Sequence, residues 1–336
     1  MTVLVTGGAG YIGSHTVHEL VDAGEPVVVL DNLSTGFRYL FPATVPFVNG
    51  STGDRDLVLK TIEQHGVTAI IHFAASVVVP DSVRDPLGYY RNNTMNTCTL
   101  IDAAIEGGVR QMIFSSTAAV YGNAIDNPID ESAPTQPISP YGTSKLMSEI
   151  MLHDAGKAHG LRFVVLRYFN VAGADPRGRT GQATPAATHL IKVACETAVG
   201  KRPRMAVYGT DYDTPDGTCI RDYIHVTDLA RAHSAALGHL RRGGVSATFN
   251  CGYGRGASVF EVIDAVRRAA GHDFPVDIEG RRPGDPAALV ANVDRIRKAL
   301  PAWNPQFRDL DTIVSHALAW EKRLQANAAR TPSGRP

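Results

Sequence analysis

The 336-residue sequence predicts a doubly wound α/β fold: a parallel sheet covered by helices on both faces, joined to a smaller mixed α/β part. Three observations predict it. Over the first half, short strands that are apolar throughout alternate with longer helical patterns, as in a parallel sheet buried on both faces. A glycine-rich turn separates the first strand from the first helix. Beyond Asn170 the alternation gives way to clusters of Gly, Pro, Asp and Thr.

The elements follow in order. Val3-Leu4-Val5 opens the sheet, and Tyr11 to Ala23 forms the first helix. Val27-Val28-Val29-Leu30 is the second strand and ends on Asp31. Phe47-Val48 is a weaker strand, followed by a helix from Leu57 to His65. Ala69-Ile70-Ile71-His72-Phe73 and Met112-Ile113-Phe114 are apolar strands bracketing a helix from about Tyr89 to Glu106. A helix from Tyr141 to about His159 leads into the strand Arg162 to Arg167. From Asn170 to Thr218 the text reads as loops around one helix, Thr188 to Val199, and such loops tend to carry binding groups on a rigid scaffold. Then come a helix from about Thr227 to Leu240, a strand at Thr248-Phe249-Asn250, and two later helices. Ser258-Val259-Phe260-Glu261 has the form of a capping box opening the first of these. Past about Asn327 the tail reads as frayed.

The length suits about two domains, and 44% hydrophobic with 20% charged residues supplies an ordinary globular core. Thirty-three Lys and Arg balance thirty-three Asp and Glu. That balance argues against nucleic acid and against a polybasic membrane anchor, both of which call for clustered cations. Met1 to Thr6 lacks a charged leader and reads as a strand rather than a signal peptide, and no apolar run reaches bilayer-spanning length. Cys98, Cys195, Cys219 and Cys251 are scattered without a C-x-x-C pair. A soluble cytoplasmic protein fits these features. His15 and His18 stand three apart, but no carboxylate or cysteine joins them at ligand spacing, so no metal is expected.

Gly7-Gly8-Ala9-Gly10-Tyr11-Ile12-Gly13 lies between strand and helix. Gly7, Gly10 and Gly13 permit a tight turn, close backbone approach to a pyrophosphate, and close helix–strand packing. The helix N-terminus behind them offers free N–H groups to the phosphates. Asp31, closing the second strand, can accept hydrogen bonds from an adenosine ribose, which favours NAD over NADP.

Pro140-Tyr141-Gly142-Thr143-Ser144-Lys145 opens a later helix, and the spacing of four puts Tyr141 and Lys145 on one face. A free tyrosine titrates near pH 10 and is a poor base at neutrality. A nearby ammonium, helped by a nicotinamide cation, is expected to lower that value and let the phenol take a proton from a sugar hydroxyl. Ser115-Ser116-Thr117, after a strand, supplies hydroxyls, of which Thr117 is the expected catalytic one.

These residues resemble the extended short-chain dehydrogenase/reductase superfamily, a Rossmann-type fold, and within it the UDP-glucose 4-epimerase family. The resemblance runs from Met1 to about Glu321. It is carried by Val3 to Thr16, by Leu166-Arg167-Tyr168-Phe169-Asn170, by Arg221-Asp222-Tyr223-Ile224-His225-Val226, and by Arg281-Arg282-Pro283-Gly284-Asp285, which looks like the family's late uridine-diphosphate motif. It implies NAD-dependent interconversion of UDP-glucose and UDP-galactose. C4 is oxidised to a 4-keto sugar, the sugar swings over, and the opposite face is reduced again. Tyr141 would be acid and base, Lys145 would hold ribose and phenolate, and Thr117 would match the family's Ser/Thr. Cofactor contacts would be Gly7, Gly10, Tyr11, Ile12, Gly13, Asp31, Asn32, Leu33, Ser34, Thr35, Ser51, Thr52, Phe73, Ala74, Ala75, Asn92, Ser115, Tyr141, Lys145 and Phe169. Substrate contacts would be Thr117, Tyr141, Asn170, His189, Ala206, Val207, Tyr208, Arg221, Arg282 and Asp285, with the two arginines gripping the diphosphate. For either arginine alone the alternative is an exposed salt bridge. The resemblance also implies a homodimer through helices near residues 89–106 and 142–158. It places the NAD-binding domain at 1–170 plus about 225–252, the UDP-sugar domain at about 171–224 plus 253–327, and a disordered tail at 328–336.

The chain departs from the family in places. Gly50-Ser51-Thr52 lacks the Asp that many relatives carry there, leaving Asp54 as a candidate substitute at the adenine. Val77 stands where some relatives have Lys, and Leu289 where some have Tyr, which admits an N-acetylated hexose. Epimerases of UDP-pentoses or uronates are alternatives. A sugar-nucleotide 4,6-dehydratase is disfavoured because Ala118-Ala119 replaces the acid–base pair it needs. A non-catalytic dinucleotide sensor is disfavoured by the presence of both Tyr141 and Lys145.

Overall fold

A computed structural model of the chain describes residues 1–123, 127–185, 187–282 and 284–330. The central sheet takes β1 (Thr2–Thr6), β2 (Val27–Asp31), β3 (Phe47–Asn49), β4 (Val67–His72), β5 (Gln111–Thr117), β6 (Arg162–Tyr168) and the later strand Ala247–Cys251. Between β6 and that strand lie β7 (Asn170–Ala172), β8 (Met205–Tyr208), β9 (Ile220–Arg221) and β10 (Tyr223–His225), so the seventh sheet strand is β11. β12 (Ala257–Ser258), β13 (Val276–Glu279) and β14 (Ala288–Leu289) follow.

The sheet order is β11-β6-β5-β4-β1-β2-β3, and every pairing in it is parallel. The direction of winding reverses between β1 and β4, and ligands of such sheets bind outside the carboxyl ends of the strands at this point. The all-apolar strands have their reason in two cores. Val3, Val5, Val29, Ile71 and Ile113 pack on one face, while Leu4, Val28, Leu30, Ile70 and Met112 pack on the other. Each residue step crosses the sheet, so both faces demand apolar side chains.

The helices are α1 (Tyr11–Asp22), α2 (Arg55–His65), α3 (Val79–Arg84), α4 (Pro86–Tyr89), α5 (Asn96–Glu106), α6 (Pro140–His159), α7 (Leu190–Ala198), α8 (Val226–Arg241), α9 (Val259–Ala270), α10 (Asp294–Ala299) and α11 (Leu310–Arg330). Ser258 and Glu261 form the expected capping box on α9.

Four expectations change. The stretch from Asn170 to Thr218 is not loop alone: it contains β7 and β8, paired with β10 and β13 respectively. Strands of three or four residues carry too little pattern to be read from one chain. The helix expected from Tyr89 begins with a π-helical turn, Tyr90–Met95, ahead of α5. The later helices number three among the described residues, because the six-residue α10 joins α9 and α11. The last helix continues to Arg330, past the expected fraying at Asn327, while residues 331–336 lie outside the described residues.

Candidate active site

The glycine turn sits where the sheet order reverses. Gly7 has φ +70, and a Cβ there would stand 2.6 Å from the Ala74 amide nitrogen in the loop after β4. A Cβ on Gly13 would stand 2.1 Å from the Gly7 carbonyl oxygen. These positions admit only glycine, and the cradle they make leaves backbone open at the start of α1. Gly10 is the N-cap of α1, and no side chain caps it, so the first-turn N–H groups remain free for an anion.

Asp31 is buried at the end of β2 and accepts hydrogen bonds from the amides of Ala9 (3.0 Å) and Leu33 (2.8 Å). It therefore ties the glycine turn to the loop Asn32-Leu33-Ser34-Thr35, where Leu33 takes φ +57. Burial raises its pKa, and the two amides pull it back. Asn32, Ser34 and Thr35 are exposed around the rim of this turn. Thr52 is buried and Ser51 half-buried beyond β3. Asp54, exposed three residues beyond Ser51, caps α2 by accepting from the Leu57 amide at 3.1 Å.

Tyr11 donates its hydroxyl hydrogen to the Gly173 carbonyl at 2.7 Å, linking the helix start to the turn after β7. Ile12 and Phe73 pack against the same core, and Phe73, Ala74 and Ala75 are half-buried across from the glycines. Ser115 does not present a free hydroxyl. It faces His233 Nε2 at 2.6 Å, and because His233 Nδ1 faces the Leu229 carbonyl, the serine is the donor. Phe169 is buried just beyond β6.

The catalytic candidates meet at the carboxyl end of β5. Thr117 is the last residue of that strand, and its hydroxyl hydrogen-bonds the Tyr141 phenol. Tyr141 and Lys145 are both buried on the first turns of α6, which Ser139 caps from its side chain and Pro140 starts. The Lys145 ammonium lies 4.7 Å from the centre of the Phe114 ring. The expected lowering of the phenol is absent in the protein alone: burial pushes Tyr141 up to about 12, with Thr117 pulling the other way. An unscreened phenolate is costly in a dry site, so burial outweighs what Lys145 can offer, and the downward shift needs further positive charge beside the phenol. Burial likewise lowers Lys145 to about 8.

Asn92 and its neighbour divide the work in the π-helical turn, a feature that often marks functional sites. Asn92 donates to Ser76 Oγ at 2.9 Å. Asn93, which the sequence does not single out, is 1% exposed and donates to both Ser76 O (2.9 Å) and Ser144 Oγ (3.0 Å). It thereby fixes the loop after β4 against the residue preceding Lys145. Glu149 and Arg167 were also missed. They form a buried pair below Lys145, with Arg167 Nη2 donating to Glu149 Oε2 at 2.6 Å. Tyr141, Lys145 and Glu149 are spaced by four, and that periodicity was the available signal for Glu149.

The substrate candidates stand on the smaller sheets. Asn170 donates its amide to the Asp222 carbonyl at 2.9 Å, which ties β7 to the residue after Arg221. On β8, Ala206 and Tyr208 are half-buried, whereas Val207 is 1% exposed and faces the core, so it offers a ligand only its main chain. Arg221 Nη1 donates to the carbonyls of Ile220 and Pro286, both at 2.9 Å, and Nη2 faces Asp285 at 3.5 Å. Arg282 is exposed, with its guanidinium 3.6 Å from the Tyr208 ring centre. Pro283 of that motif lies outside the described residues. His189 is exposed at the start of α7, its Nδ1 accepting from Gln182 Nε2 at 2.9 Å. His15 and His18 turn inward instead: His15 Nδ1 meets the Tyr11 carbonyl at 2.7 Å and His18 Nε2 the Leu40 carbonyl at 3.1 Å. The cysteines are unpaired, with Cys98 exposed and Cys195, Cys219 and Cys251 buried. Among the described residues no helix is long and apolar enough to cross a membrane.

Residues 3–252 match the model of the NAD dependent epimerase/dehydratase family. A UDP-glucose 4-epimerase of Azospirillum brasilense is 60% identical over 334 residues, covering 99% of this chain and 96% of that one. The crystal structure of the UDP-glucose 4-epimerase from Brucella ovis in complex with NAD superposes with a TM-score of 0.92 at 46% identity, over 95% of this chain and 97% of that one. A UDP-Glc/GlcNAc 4-epimerase from Campylobacter jejuni is also 46% identical, with a TM-score of 0.85 over 96% of this chain and 99% of that one.

Proposed function

We propose the reaction from one premise: the chain belongs to the NAD dependent epimerase/dehydratase family. It is an isomerase that uses NAD to interconvert UDP-glucose and UDP-galactose. The residues around the glycine turn fit the cofactor, since Gly7 and Gly13 leave a cradle that a Cβ would fill and α1 keeps its first N–H groups uncapped. When bound, NAD supplies the acceptor and then the donor of the hydride at C4 of the hexose.

The chain's own groups manage the proton and the grip. Tyr141 takes the C4 hydroxyl proton and returns it after the sugar has turned over, Thr117 aligns phenol and hydroxyl, and Lys145 favours the phenolate. The buried phenol is protonated at neutral pH until cationic charge enters beside it. Arg221 and Arg282 hold the diphosphate, with Asp285 aligning Arg221; Tyr208, Ala206, the Val207 main chain, Asn170 and His189 complete the grip. Because that grip ends at the diphosphate, the hexose is free to present either face to one cofactor. Ala118 and Ala119, directly after Thr117, cannot move a proton, which sets this reaction apart from a dehydration.

The observation that carries the reading is the Thr117–Tyr141–Lys145 cluster at the end of β5, beside the glycine cradle. The test is to incubate the protein with UDP-galactose and follow UDP-glucose by proton NMR. Its formation is expected, and a lack of product even with added NAD would overturn the reading.

A second substrate is supported by Leu289, half-buried on β14 and paired in register with Arg221 on β9. Leucine leaves more room beside the sugar than tyrosine, and the Campylobacter relative is named for both sugars. UDP-N-acetylgalactosamine is expected to be turned over; no turnover at saturating concentration would remove this reading. We further infer a cytoplasmic homodimer. Leu87, Met95, Met147 and Ile150 leave 61%, 62%, 42% and 52% of their surface exposed on the neighbouring helices α4 to α6, a face suited to a second copy. Sedimentation at micromolar concentration should give a dimer, and Met147→Glu with Ile150→Glu should give monomer. The unpaired thiols support a reducing compartment, and cell fractionation checks it. The proposed division is an NAD part at 1–170 plus about 225–252 and a UDP-sugar part at about 171–224 plus 253–327.

A further inference from the structure

Lys145 is 3% exposed and has no ion-pair partner within 4 Å among the described residues, an expensive place for an ammonium. One helical turn on, Glu149 is 2% exposed and faces the same way as Tyr141 and Lys145. Its carboxylate is held from two strands: Arg167 of β6 donates through Nε and Nη2, and Ser116 of β5, the neighbour of Thr117, donates its hydroxyl. Arg167 in turn donates to Tyr121 OH at 3.0 Å, and Tyr121 donates to Asn250 Oδ1 at 2.6 Å. The carboxylate therefore cannot swing away.

We propose that Glu149 is a positioning residue for the reaction: a buried anion, clamped by Arg167 and Ser116, that keeps the Lys145 ammonium charged beside the Tyr141 phenol. The inference rests on the proposed role of Lys145. Around this corner the titratable groups are Tyr89 from α4, His72 from β4, Tyr121 from the turn after β5, Arg167 from β6, and Tyr141 and Glu149 on α6 itself. Burial pushes Lys145 down to about 8, and Glu149 is the anion that pushes back. Arg167 pairs directly with Glu149.

The test is the pH profile of kcat for UDP-galactose, with KM measured at each pH. For Glu149→Gln the alkaline limb should move down by about one to two pH units, leaving KM unchanged and restoring near-normal kcat at the acid end. A merely structural role would lower kcat by the same factor at every pH, and that result would overturn the inference. Should Glu149→Gln fail to fold, Glu149→Gln with Arg167→Met removes both charges together, and the alkaline limb should still move down, by a smaller amount because a cation is lost with the anion; an unmoved limb would overturn the inference. Lys145→Met separates the two failures. If it leaves the alkaline limb in place, the role of Lys145 is wrong; if it removes the limb while Glu149→Gln does not move it, only Glu149 is misassigned.

Discussion

The two ends of the cleft are built differently. At the cofactor end the polar side chains already have partners within the chain: Asp31 holds two amides, Tyr11 holds Gly173, and Asn93 holds Ser76 and Ser144. His72 is satisfied on both nitrogens by Thr6 (2.6 Å) and Thr97 (2.9 Å). At the proposed sugar-nucleotide end, Arg282 rests on the face of Tyr208, His189 on Gln182, and Asp285 stands 3.5 Å from Arg221. On the proposed assignment, one end is preassembled for a group that stays, and the other is a grip on charge that leaves the sugar beyond it free. That difference suits a reaction in which the same hexose must offer both faces to one cofactor.

Four substitutions or conditions sharpen the contrast. Tyr141→Phe, at the junction of the two ends, should lower kcat by about a thousandfold with KM nearly unchanged, as for loss of a general acid–base group; initial-rate kinetics check it. Gly7→Ala strikes the preassembled end, forcing a methyl into the Ala74 backbone and an unfavourable φ. Co-purifying NAD should fall sharply, and stability by about 1–3 kcal/mol, read from denaturant melts. Arg221→Ala should raise KM about tenfold or more with kcat retained, because a charge-assisted contact is lost. The exposed Arg282→Ala should raise KM by a factor of about three. Equal losses in kcat for both arginines would contradict their assignment to binding.

Acid sensitivity tests the buried imidazoles that both ends share with the core. Burial depresses His15 and His233 to about 4, His72 to about 3 and His225 to about 2. The unfolded chain binds protons on them first, so their stabilisation is complete above about pH 6.5 and is lost progressively as pH falls towards those folded values. Asp222 opposes this trend, since burial raises it to about 6 and the folded state takes its proton first. Urea midpoints should therefore be flat above pH 7 and decline below pH 6. A midpoint that rises on acidification would contradict the buried neutral histidines.

Much of the cofactor end was legible in the sequence because its signals are local. An apolar strand, three glycines and an acid at the next strand end lie within the first thirty-one residues, and the structure puts them together. Tyr141 and Lys145 were legible for the same reason, being one turn apart. What escaped was non-local. Glu149 finds Arg167 across 18 residues and Asn93 finds Ser144 across 51, and no spacing rule announces such pairs. Residue type reveals a neighbouring cation but not the depth of burial, so the upward push on Tyr141 in the chain alone was not legible. Val207 shows the complementary limit: its segment reads as loop in the sequence, but it lies on β8, and strand alternation turns its side chain into the core.

The most direct test of a closed cofactor end serving a turning sugar is isotopic. UDP-galactose deuterated at C4 should be converted to UDP-glucose with the deuterium still on C4, even in the presence of excess unlabelled NADH. Loss of the label to the free cofactor pool would mean that the cofactor leaves between the two half-reactions, contradicting the division of the cleft into a fixed end and a permissive one.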